Sequence, residues 1–195
     1  MQNFIKDIIK AVKQSKNVFI FCLIFFAIGA ILGAVIPIGE TLSCLYEEFL
    51  LDYFATVLAK SGFGISFLLK RVIINVLLLL LIALLSLNKY TYYIIFLILF
   101  YRAFILGLAL KLFLTKLLIN GAFFFIFLVL VQAIFLSLAI TVYLCLTYKK
   151  LSKIDNCSIN YVFRCYLISL LISLLGILLE FLFIVLIFRP FNFYF

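Results

Sequence analysis

Long apolar blocks separated by short polar breaks run along this chain. Uncharged or nearly uncharged stretches cover about residues 17–37, 70–87, 91–113, 121–147 and 165–188. Each approaches or exceeds the length an α-helix needs to cross a bilayer. Solid runs such as Val76-Leu77-Leu78-Leu79-Leu80-Leu81 lack the alternation of a barrel strand, in which every second residue faces the lumen. The pattern predicts an all-α, polytopic membrane helical bundle of about five transmembrane helices, forming one transmembrane domain over residues 17–195. The breaks predict tight turns at Asn88-Lys89-Tyr90 and at Leu114–Asn120, and a polar loop from Tyr148 to Phe163.

Two segments have a different period. Between 40 and 60, Leu42, Leu45, Tyr46, Phe49, Tyr53, Phe54 and Val57 recur at helical spacing, with Glu40, Glu47, Glu48, Asp52 and Lys60 largely opposite. This predicts an outer amphipathic helix that covers the mouth of the bundle or presents Glu47, Glu48 and Asp52 to a partner. It ends at Ser61-Gly62-Phe63-Gly64. Residues 1–16 interleave Lys6, Lys10, Lys13 and Lys16 with Phe4, Ile5, Ile8, Ile9 and Val12, which reads as a basic helix on the membrane surface or as a frayed cationic tail. The first span is too long for the apolar region of a signal peptide and reads as an uncleaved anchor. Its Gly29-x-x-x-Gly33, beside Ala30 and Ala34, permits close helix approach, within the chain or between two copies.

Composition agrees: 69% of the 195 residues are hydrophobic, 12% are charged, and mean hydropathy is +1.42. A soluble domain of this size has too little interior to hide so much apolar surface. The formal charge of +9 does not point to nucleic acid, because the basic residues gather at span ends. With the N-terminus inside, Lys89, Lys149, Lys150, Lys153 and Arg164 join the N-terminal lysines on the cytoplasmic side, which predicts an N-in, C-out topology. The chain has no histidine, so His-containing zinc sites and His-dependent triads are ruled out. Its five cysteines form no CxxC; Cys22 and Cys145 fall inside spans as small apolar residues. No phosphate-binding loop or paired catalytic carboxylates is present. The chain is expected to be non-enzymatic, without cofactor or metal.

The informative residues are Arg102 and Glu180, charges of opposite sign inside apolar spans. A mid-bilayer charge costs roughly 3 kcal/mol on insertion scales and is retained for pairing or function. Helical rise places Arg102 about 18 Å and Glu180 about 22 Å from the inner face, with Gln132 at about 13 Å. We therefore expect Arg102 and Glu180 to pair, with Gln132 and Tyr101 satisfying leftover polar groups. Such a pair is either a structural lock between helices or part of an ion path.

The five spans, the small-residue end of the first (Ile28-Gly29-Ala30-Ile31-Leu32-Gly33-Ala34), the third-span Arg102 followed five positions later by Gly107, Gln132 in span four, and Glu180-Phe181 near the end of span five resemble stage II sporulation protein M and its relatives. The resemblance implies a scaffold in a bacterial cytoplasmic membrane, with Gly29, Gly33 and Gly107 packing helices. In sporulating bacteria that family anchors the wall hydrolases of engulfment. The expected partners are thus the bilayer and membrane-anchored or extracytoplasmic proteins, cell-wall hydrolases among them. The alternative is a transporter or permease subunit with a path lined by Arg102 and Glu180.

Overall fold

A computed structural model describes residues 13, 15–37, 39, 44, 63–151 and 159–188. The predicted amphipathic helix, with Glu47, Glu48 and Asp52, and nearly all of the basic N-terminal segment lie outside the described residues. The described chain is helical: α1 (Lys16–Val35), α2 (Phe63–Leu85), a short α3 (Lys89–Tyr92), α4 (Ile94–Phe124), α5 (Val131–Leu151) and α6 (Ile159–Phe183). A π-helical segment, Phe125–Leu130, precedes α5, and another, Ile184–Phe188, follows α6. Among these residues, 5 helical stretches are long and apolar enough to cross a membrane.

Two spans begin earlier than the polar breaks suggest. The fifth is helical from Ile159, and α2 starts at Phe63, so Phe63-Gly64 open a helix rather than close one. Lys70 and Arg71 therefore sit two turns inside α2. The α2–α3 turn falls at 86–88, where Asn88 caps α3 by accepting a hydrogen bond from the Tyr90 amide at 3.1 Å. The second reversal is hidden within helical backbone. The rings of Phe113 and Phe125 stand 5.9 Å apart, whereas twelve residues of straight helix would part them by about 18 Å. The axis must fold back between them, where the Leu114–Asn120 turn is expected.

The surface is the apolar part. Ile31, Leu77, Leu97, Leu171 and Leu186 are all more than half exposed, on every long helix but α5. A soluble protein does not present such a belt, and a bilayer solvates it. Small and polar residues lie inside instead: Cys22, Gly29, Gly33, Ala103, Gly107, Ala139, Ser169, Ser173 and Gly176 are buried. In lipid, association rests on close packing and interhelical hydrogen bonds, and small side chains allow both.

The tightest crossing joins α1 and α4, which run parallel. A Cβ on Gly29 would stand 2.6 Å from the Phe100 carbonyl oxygen, one on Gly33 would strike Phe104 O, and one on Gly107 would strike Ala30 O. The three glycines thus interlock within one chain. Beyond them, Lys111 Nζ donates to Ile36 O at 2.8 Å, placing a cation at the C-terminus of α1, where the helix dipole favours it.

At the 86–88 end, three successive carbonyls of α5 accept side-chain hydroxyls from three directions. Tyr92 Oη donates to Leu144 O at 2.8 Å, Ser15 Oγ to Cys145 O at 3.1 Å, and Tyr161 Oη to Leu146 O at 2.7 Å. Successive residues turn by about 100° around a helix, so α5 is held on several sides at one level. Ser86 and Tyr143 add a hydroxyl–hydroxyl bond between α5 and the α2–α3 turn. Tyr161→Phe should lower stability by about 0.6 kcal/mol, the usual worth of one such bond in a membrane, as measured by unfolding in mixed micelles.

Candidate functional site: a buried polar cluster

A second group of interior polar residues lies on α2, α5 and α6. On α2, Arg71 and Asn75 are four residues apart and share a face. On α6, Ser169, Ser173, Gly176 and Glu180 form a buried stripe at helical spacing. The two helices are antiparallel neighbours, and the stripes meet. Arg71 Nη2 reaches Glu180 Oε1 at 3.3 Å, with the Glu180 side chain 0% exposed and that of Arg71 28%. Asn75 Nδ2 donates to Ser173 Oγ at 2.8 Å, about one turn away. Gln132, on the first turn of α5, donates from Nε2 to Asn75 Oδ1 at 3.4 Å. Gly176 lets α5 close in, since a Cβ there would meet the Cβ of Phe135. Asn75 is thus the hub: it donates to α6 and accepts from α5.

The expected Arg102–Glu180 pair is corrected by this geometry. Glu180 is paired with Arg71, while no hydrogen bond or ion pair engages Arg102 among the described residues. The depths along the spans are compatible with pairing, but depth gives height and not neighbours. Helix α4, which carries Arg102, packs mainly on α1, and α6 packs on α5 and α2. Gln132 is buried, but it serves Asn75 rather than an Arg102–Glu180 pair. Tyr101 is 62% exposed and faces away from the cluster. Arg102 itself is half-buried, near enough to Arg71 for their two charges to interact.

The sequence reading missed Arg71, Asn75 and Ser173. Arg71 stands at the entry of its span, as the sequence places it, but the sequence does not show that it faces Glu180 on α6. The Arg71/Asn75 spacing and the Ser-x-x-x-Ser-x-x-Gly-x-x-x-Glu stripe were the available signals.

The described residues contain no group of three metal-ligating side chains, and Cys22, Cys145 and Cys165 are buried and form no disulfide. Among the described residues the cluster contains one carboxylate, Glu180, and the contacts of Arg71, Asn75 and Gln132 each join two helices. Fold and cluster together define a multi-pass helical membrane protein braced by a polar core. No family model, curated protein or solved structure matches the chain.

Proposed function

We propose that the protein is a non-enzymatic membrane scaffold, similar in role to stage II sporulation protein M, that organises cell-wall remodelling proteins at a bacterial cytoplasmic membrane. The observation that carries this reading is how the cluster is used: Arg71–Glu180, Asn75–Ser173 and Gln132–Asn75 each join two helices of the same chain. Groups engaged in this way fix one packing arrangement and leave little to line a conduction path. A bundle braced in this way, with no catalytic constellation among its described residues, suits presentation of the segments outside the membrane. In this reading the N-terminus is cytoplasmic, the C-terminus is outside, and the acidic face of Glu47, Glu48 and Asp52 meets the partner.

Photocrosslinking tests it. A crosslinker placed in the native host at 47, 48 or 52 should trap membrane-anchored or wall-active proteins, with hydrolases among them, while one placed at the lipid-facing Leu171 should not. Trapping of no protein from any of the three positions, or solute uptake by proteoliposomes of the pure chain, would overturn the reading.

A further inference from the structure

Most of the chain's excess charge lies in the stretches that lead into or out of the bundle at its 86–88 end. Residues 1–16, 86–93 and 148–164 contain nine Lys and Arg, four, one and four in turn, against two acids, Asp7 and Asp155. The rest of the chain has seven basic and five acidic residues, so seven of the nine net positive charges belong to these stretches. Three hydrogen bonds bring their described parts together. Ser15, Tyr92 and Tyr161 donate to Cys145, Leu144 and Leu146, carbonyls of one turn of α5. The starts of α1 and α6 and the short α3 therefore ring the end of α5 at one level. Lys13, Lys16 and Arg164 are exposed on that ring. So are Tyr90, Tyr93 and Tyr148. About one turn farther in, the exposed Phe21, Leu97 and Leu167 begin the apolar belt.

We propose that this ring is a binding surface for anionic glycerophospholipids, whose phosphodiester headgroups seat on Lys13, Lys16 and Arg164 while their acyl chains lie on the apolar side chains below. Three features select that occupant. Basic residues clustered beside spans attract anionic headgroups. Exposed tyrosines pair an apolar ring with a polar tip, which suits headgroup level, and a soluble acidic partner would not need them there. The cations stand directly above an apolar surface, so the head and the tails of one molecule are both accommodated, and the long Lys and Arg stems can reach from one to the other. The proposal depends neither on the scaffold reading nor on which leaflet this end faces.

The test uses the full chain reconstituted in phosphatidylcholine bilayers. Trace spin-labelled phosphatidylglycerol or phosphatidylcholine reports the fraction of each lipid whose motion the protein restricts. At about 20 mM salt, phosphatidylglycerol should associate about fivefold more strongly than phosphatidylcholine. At about 1 M salt the two should approach parity, because screening shortens the Debye length to about 3 Å. Lys13→Gln with Lys16→Gln and Arg164→Gln should cut the low-salt preference to about twofold or less. Lys70→Gln, which removes an exposed cation toward the other end of α2, should leave it unchanged. The salt comparison needs no variant. A preference that survives high salt, or one that falls as far with Lys70→Gln as with the triple variant, would overturn the surface. Equal association of the two lipids would also overturn it, and capture of soluble polyglutamate by the same bilayers would then assign the ring to an acidic protein.

Discussion

Arg71→Leu should destabilise the protein by about 3 kcal/mol or more, enough to deplete it from membranes, whereas Arg71→Leu with Glu180→Leu should recover most of the loss. The asymmetry follows from burial. Glu180 is fully enclosed, and removing Arg71 strips a buried carboxylate of that counter-charge. Removing both partners replaces two desolvated charges by apolar side chains, which is often neutral or stabilising. Reversal separates this pair from the one that depth alone suggests. Arg71→Glu with Glu180→Arg should regain abundance, and Arg102→Glu with Glu180→Arg should not. Quantitative immunoblotting of membranes, followed by unfolding in mixed micelles of sodium dodecyl sulfate, reads both results. Rescue through position 102 but not 71 would refute the assignment.

The second large effect belongs to the α1–α4 crossing. Gly33→Leu and Gly107→Leu should each cost about 3 kcal/mol, at the upper end of overpacking. The added atoms meet backbone, Phe104 O in one case and Ala30 O in the other, and backbone cannot turn aside as a side chain can. Even Gly33→Ala should be measurably destabilising. Gly39→Ala is the control, because nothing lies within 4 Å of a Cβ there; its effect should stay within about 0.5 kcal/mol. The same unfolding assay decides, and equal stabilities of the Gly33 and Gly39 variants would show that the close crossing does not hold the bundle together. The parallel sense of α1 and α4 is what odd-numbered spans of a single chain require. Here the Gly29/Gly33 motif serves intramolecular packing.

How far the site could be read in advance differs by residue. Glu180 and Gln132 stood out because a carboxylate and an amide are conspicuous among leucines. Asn75 did not, although it is the hub, because one amide four residues from an arginine resembles the polar edge of a span. Arg71 stands near the start of its span, where a basic residue reads as a topology signal rather than as a partner. Helix ends are poorly marked when apolar residues continue on both sides of the break, as they do around Phe67-Leu68-Leu69.

Sequence alone was sufficient for the number of spans, their helical character and the presence of charge in the interior. Hydrocarbon imposes these locally, since every backbone amide in lipid must bond within its own segment and every span must match one thickness. Tertiary structure decided which helices touch. Partner choice rests on small-residue crossings and on the direction in which each stripe faces around its axis, and neither is encoded by height along the membrane normal. That is why two charges at similar depth, Arg102 and Glu180, belong to helices that pack mainly on other partners, and why the carboxylate is paired with Arg71 instead.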